Sequence, residues 1–379
     1  MRVVLFCHSL LSDWNHRGAH FLRGVVTELA ERGVDVQVYE PENAWSLEKL
    51  LAERGGEEEL EAVRLVYPRL RPHRYRLETL ELEAVLDGAD LVIVHEWNKP
   101  ELVHRVGQAR ARGGRFKLLF HDTHSRAVTA PHDLARYELT HYDGVLAFGD
   151  VIRRAHLERG QARHVWTWHE AADVRVFRPE PRVRCVEDLV WVGNWGEGER
   201  SAELHEFLLG PVTRLGLKAR VYGVGYPGMA RTALAEAGIS HGGWLPNHEV
   251  PWAFARARMT VHVPRRPYVT ALPGLASIRL FEALACGIPL VSAPWRDTED
   301  LFTPGMDFLV ARDGAQMERH LAALREDEAL RKALAEHGRR TILARHTCAH
   351  RVEELLAICR ELGVETGSIG PVVQERVTA

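Results

Sequence analysis

Lysine is scarce beside arginine in this chain of 379 residues, paired cysteine motifs are missing, and neither sign of charge is in large excess. Formal net charge is -3 and the pI about 6.7, so nothing global draws the chain to a polyanion, and nucleic acid is not an expected partner. No apolar run approaches the roughly 20 residues that span a bilayer, which excludes a transmembrane helix and leaves peripheral contact with a membrane surface open. The five cysteines, Cys7, Cys185, Cys286, Cys348 and Cys359, are odd in number and never spaced C-x-x-C. That usage excludes a disulfide framework and a thiolate zinc site and suits a reducing compartment. The first residues run into an apolar strand without a signal-peptide pattern, so a cytoplasmic location is expected. With lysine scarce, arginine is the main cation, and its planar fork suits phosphate.

What is present is alternation. Arg2–Phe6, Val34–Tyr39, Asp90–Val94, Phe116–Phe120 and Gly144–Phe148 read as buried strands, each followed by a helix-compatible stretch. A second series starts at Asp188–Gly193 and continues through Lys218–Tyr222, Met259–Val263 and Pro289–Val291. Such alternation builds parallel, doubly wound α/β sheets, with ligands at the carboxyl ends of the strands. Phe177–Pro181, with two prolines, reads as a linker. The expected domains are therefore 1–175 and 176–362, followed by a tail at 363–379. The charged segment Leu47–Leu86 reads as a helical insertion on the outside, and Arg339–Leu362 as helix.

The richest segment is S-I-R-L-F-E-A-L-A-C-G-I-P-L, from Ser277 to Leu290. Ile278, Phe281, Leu284 and Ala285 give a helix one apolar face, and Gly287 supplies its left-handed stop. Arg279 and Glu282 lie three apart and share a face. A cation for phosphate beside a carboxylate for ribose hydroxyls is a workable nucleotide grip.

This segment resembles the donor motif of glycosyltransferases with the GT-B fold, most closely family 4 and the spore-maturation (CgeB-like) branch, in which F-E-A-x-A-C-G is typical. The resemblance implies two Rossmann-like doubly wound domains facing across a cleft, with a C-terminal helix crossing back to the first. It also implies a nucleotide sugar (a UDP-, GDP- or TDP-sugar) as donor substrate, with no metal and no other cofactor required. By the same likeness Glu282 binds ribose. Family 4 carries a second glutamate eight residues earlier, where this chain has Gly274, so the hold on the transferred sugar departs from the family.

Other segments extend the likeness. Val192-Gly193-Asn194-Trp195-Gly196-Glu197-Gly198-Glu199-Arg200 resembles the F-I-G-N…R loop of the CgeB-like branch; its glycines let backbone approach a diphosphate that Arg200 neutralises. Pro264-Arg265-Arg266-Pro267-Tyr268 places two arginines before a helix start, a second candidate diphosphate trap, and leads to Gly274 and Ser277. Gly242–Pro246 resembles the loop that reads the nucleobase, with Trp244 and Leu245 in the stacking place. His346–Arg351 resembles a C-terminal family element with a structural role.

In the first half, His121 ends a strand where the family places a histidine beside the reacting carbon. An imidazole there can donate or accept near neutral pH, and Asp122 is a candidate to fix its tautomer. His95-Glu96 matches the family's H-E-P on the acceptor side. Gly18 resembles the last glycine of a glycine-rich turn before a helix. Trp14, Asn15, His16 and His20 beside it are candidate acceptor contacts, and His16 and His20 are rival bases. His121 and His124 have no third ligand at zinc spacing.

These observations leave three readings open: a retaining glycosyltransferase, an inverting transferase or sugar-nucleotide epimerase, and a non-catalytic binding subunit. Nothing in the sequence selects the acceptor.

Overall fold

The computed structural model describes every residue except 17, 54, 125, 197, 368 and 370–379. Glu197 of the glycine-bearing loop and most of the tail's end thus lie outside the described residues. The chain divides into two compact units, Met1–His169 with Cys348–Ala379, and Glu170–Thr347.

Among the described residues, seven strands form the sheet of the first unit: β1 (Arg2–Phe6), β2 (Asp35–Pro41), β3 (His73–Tyr75), β4 (Leu91–His95), β5 (Lys117–Asp122), β6 (Gly144–Ala147) and β7 (Val165–Thr167). Their order is β3-β2-β1-β4-β5-β6-β7, all parallel. Both faces are covered, which is why β1 and β4 read as unbroken apolar runs. The order reverses between β1 and β4, so the loops after them part and leave a crevice at their carboxyl ends. The region Leu47–Leu86 does not lie wholly outside the sheet: it contributes β3 as the edge strand. Three residues, His73-Arg74-Tyr75, are too short a run to show a strand period.

The final helix, Cys348–Glu361, belongs to the first unit and packs on helix Ala19–Glu31. Arg32 pairs there with both Glu28 and Glu353. The helical stretch expected over 339–362 is carried by two helices, Glu328–Arg345 and Cys348–Glu361, parted at His346 and Thr347. His346 is held where it is because its Nε2 bonds the Leu301 carbonyl at 2.8 Å.

The second unit repeats the plan with β8 (Glu187–Val192), β9 (Ala219–Tyr222), β10 (Ser240–His241), β11 (Ala257–His262), β12 (Leu290–Ser292) and β13 (Leu309–Val310). The order β10-β9-β8-β11-β12-β13 is again parallel. Its reversal falls between β8 and β11, which puts the Gly193–Arg200 and Val263–Tyr268 loops at the crevice.

Candidate active site

In the second unit the helix Ile278–Cys286 runs from Ser277 to a left-handed Gly287 at φ 67°. Ile288 N–H reaches back to the Ala283 carbonyl at 3.3 Å, the closing bond of a Schellman turn. The Ser277 hydroxyl meets His262 Nε2 at 3.1 Å, and His262 Nδ1 meets Ser292 Oγ at 2.9 Å, tying the helix start to β11 and β12. Burial and then the nearby Arg200 charge push His262 down to about 3, so its ring is neutral.

Glu282 is 0% exposed, and its Oε1 accepts from Asn247 Nδ2 at 3.0 Å. Its other oxygen pairs with Arg279, whose side chain remains 31% exposed. The two residues expected to grip ribose and phosphate thus grip one another, the buried carboxylate inward and the guanidinium at the rim. Asn247 went unnoticed in the sequence. Its only signal was position, directly after the Trp244-Leu245-Pro246 turn, where it fastens that turn to the helix. Trp244 and Leu245 are half-buried there.

Arg200 donates to the Val263 carbonyl at 3.0 Å and to the Asn194 carbonyl, with its guanidinium 5.0 Å from the Trp191 ring centre. These carbonyls fix the guanidinium between the loops after β8 and β11. Asn194 Oδ1 accepts from Val224 N–H at 3.0 Å, and the Gly193 carbonyl accepts from Tyr226 at 2.7 Å. Both residues bind the β8 loop to the β9 loop.

Both arginines of the expected two-arginine trap are paired in the structure. Arg265 bonds Glu199 at 2.7 Å, and Arg266 bonds Glu203 at 2.9 and 3.1 Å. Each arginine meets a carboxylate from the segment after β8. Gly274 sits at φ 85° and donates to the Arg296 carbonyl at 3.0 Å. A Cβ there would lie 2.3 Å from Thr298 Oγ1. The position is built for glycine, which is a physical reason for the missing glutamate.

In the first unit, imidazole and indole rings gather at the carboxyl ends of β1, β4 and β5. His16 stacks on Trp97 at 4.8 Å, His8 lies 5.0 Å from Trp45, and His95 lies 5.1 Å from His121. Trp168 and Phe21 cover His121 at 4.9 and 6.0 Å. Burial pushes His8 down to about 4 and His16 and His121 to about 3, and it also lowers His95 well below its usual value. All four rings are therefore neutral at pH 7. Among the described residues, both ring nitrogens of His16 and of His121 are buried without a hydrogen-bond partner.

Asp122 does not orient His121. Its carboxylate bonds His156 Nε2 at 2.8 Å and the His124 backbone N–H at 3.0 Å. His95 Nε2 instead meets Thr123 Oγ1 at 3.0 Å, and that hydroxyl donates to Glu96 at 3.3 Å. His20 is buried on helix Ala19–Glu31, while Asn15 is an exposed turn residue at φ 49°. Gly18 has φ -72°, ordinary for any residue, so backbone conformation does not demand glycine there.

Three residues that sequence reading missed hold the Ser9–Asn15 loop. Glu40, at the end of β2, accepts from Ser9 and from the backbone N–H groups of Leu10 and Leu11. Arg23 bonds the Leu10 carbonyl at 2.6 Å and Asp13 at 2.8 Å. His8 Nε2 accepts from Ser46 N–H at 3.4 Å, pinning the start of the helix that carries Trp45.

Residues 200–357 match the model of the glycosyl transferase-like family. The matched glycosyl transferase-like domain fills most of the second unit, and the two Rossmann-like domains have the GT-B fold. The chain is similar to sucrose-phosphate synthase of Thermosynechococcus elongatus, at 14% identity over 96% of this chain and 99% of that one, with a TM-score of 0.62. Anabaena HepE, solved with UDP and glucose, is 13% identical over 95% of this chain and all of its own (100%), with a TM-score of 0.64. An alpha-glucosyltransferase solved with UDP and a 13-mer DNA is 12% identical over 95% and 99%, with a TM-score of 0.67. No curated protein matches the chain in sequence. Among the described residues no helix is long and apolar enough to cross a membrane.

Proposed function

We propose that the protein moves a sugar from a nucleoside-diphosphate sugar to an acceptor hydroxyl, with retention of configuration and without a catalytic metal. The observation that carries this reading is Glu282, a carboxylate fully buried on a glycosyl transferase-like domain and oriented by Asn247 and Arg279. Ribose hydroxyls bond Glu282, the diphosphate meets Arg279 and Arg200, and the base lies by Trp244 and Leu245. The motif Ser277–Leu290 supports placing the chain near family 4 and the CgeB-like branch. UDP in the HepE structure favours a uridine donor. One of the similar enzymes was solved with DNA, but a net charge of -3 supports a different acceptor here.

In the reaction the anomeric C–O bond to the diphosphate breaks as the acceptor oxygen adds on the same face. A phosphate oxygen of the leaving diphosphate takes the acceptor proton. The arginines stabilise the charge that develops on the diphosphate, and the protein contributes orientation more than a nucleophile. His121, neutral, offers a hydrogen bond to the sugar. Its ring is 0% exposed, so this role requires a covering side chain to shift.

A second reading is favoured by one observation: His16 also has two buried ring nitrogens without partners. In an inverting transferase it would take the acceptor proton while the acceptor attacked from the opposite face.

Incubation with UDP-, GDP- and TDP-sugars, following slow donor hydrolysis, tests the proposal. Turnover should fall by roughly 10²-fold or more in His121→Ala with nucleotide affinity nearly unchanged. Full activity in His121→Ala with none in His16→Ala would favour inversion. Epimerisation without hydrolysis would make the protein an epimerase, and nucleotide binding without any turnover a binding subunit.

A further inference from the structure

The ring cluster of the first unit has a direction. His16 is 1% exposed and stacks on Trp97, which is half-buried; Trp45, 5.9 Å from Trp97 at 30° between planes, is 37% exposed. Trp14 stands edge-on to Trp45 at 6.3 Å and donates its indole N–H to Glu53 at 2.9 Å, which fixes it at the rim. Indole rings thus lead from solvent down to an imidazole whose two buried nitrogens make no hydrogen bond of normal geometry among the described residues, although the Ser9 and Ser12 backbone lies near the ring. Gly18 lies beside this ring: a Cβ added there would stand 3.7 Å from His16 Nε2.

We infer that Trp45 and Trp97 form a stacking platform for an uncharged pyranose ring of the acceptor, with one of its hydroxyls hydrogen-bonded to His16 once a covering side chain shifts. This rests on the first unit being the acceptor side, as proposed above. A pyranose has one face of C–H groups and a rim of hydroxyls. The C–H face suits the negative face of an indole, and a hydroxyl can both donate and accept. A wholly aromatic acceptor would fill the platform but leave the buried His16 nitrogens unsatisfied, at the cost of their desolvation. Among the described residues at this cluster, burial keeps His8, His16 and His95 uncharged, which favours an uncharged sugar over an anionic one. Arg23 is paired with Asp13 and committed to the loop.

The test uses the full chain without nucleotide, so it does not depend on the donor site. Methyl glucoside, methyl galactoside, methyl mannoside and their neutral trisaccharides are titrated by tryptophan fluorescence and calorimetry, beside methyl glucuronide and p-nitrophenol. We expect at least one uncharged glycoside to bind in preference to glucuronide and p-nitrophenol. Trp45→Ala should weaken it about tenfold and Trp45→Phe less. Trp252→Ala, which removes an exposed tryptophan of the second unit, should change nothing. Because Trp45 is exposed at a helix start, its variants are expected to fold, which circular dichroism verifies. Preference for p-nitrophenol or glucuronide, no binding by any glycoside, or equal affinity in Trp45→Ala would each overturn the inference. Glycoside binding without donor turnover would leave it standing while the transferase reading fell.

Discussion

Arg279 and Glu282 form an ion pair across one turn of the helix Ile278–Cys286, the carboxylate fully buried and the guanidinium 31% exposed. The asymmetry gives them different duties. Glu282 has no access to solvent and is held from a second side by Asn247, so its orientation is fixed, and a ribose reaches it once a covering group shifts. Arg279 alone reaches the rim and can swing between carboxylate and phosphate.

Arg279→Ala and Arg200→Ala should each weaken a nucleoside diphosphate more than its nucleoside, because a guanidinium pairs with phosphate oxygens. Calorimetry with UDP and uridine separates the terms. Arg265→Ala should do less, since Glu199 already bonds that side chain. Equal losses for both ligands would make the arginines supports of the fold.

Restoring the family glutamate at position 274 should fail. Even Gly274→Ala should cost about 1–2 kcal/mol, from the left-handed backbone and the approach of Thr298. Adding Thr298→Ala should recover the steric part and leave the backbone part. Denaturant midpoints of the single and double variants measure both. An Ala variant as stable as the parent would contradict the account of this turn.

The neutral histidines make the first unit acid-sensitive. His8 at about 4 and His16 and His121 at about 3 lie below the ordinary 6.5, so the folded state binds fewer protons than the unfolded state in that interval. Stability therefore falls as pH drops below 6.5, by about 1.4 kcal/mol per pH unit for each histidine. Glu40, pushed up to about 7 by burial, acts oppositely between 4.5 and 7, as one group against several. Urea unfolding followed by the first unit's fluorescence should show a falling midpoint from pH 6.5 to 5. A flat profile would mean that the rings are more hydrated than their burial indicates.

The alternation of the chain made both sheets legible, because strands buried on two faces are written as apolar runs. Glu282 and Arg279 were legible as a pair for a simpler reason: helical spacing alone puts them on one face. Their union with Asn247 was not, since that contact joins residues 35 apart through tertiary folding. The same holds for Trp45 against His8, and for Glu40, whose burial depends on the ends of β1 and β2 meeting. Asp122 misled because sequence adjacency to His121 carries no orientation: neighbouring strand residues point to opposite faces. The basic turn misled because its partners, Glu199 and Glu203, come from the far side of the sheet's reversal.

Titration of UDP into the parent protein and into Glu282→Ala is the most direct test of the central claim, that this carboxylate holds the nucleotide's ribose. The variant should remain folded and bind UDP more weakly by about 1–3 kcal/mol, the loss expected when ribose hydroxyls forfeit a charged acceptor. A folded Glu282→Ala that binds UDP as tightly as the parent would contradict it.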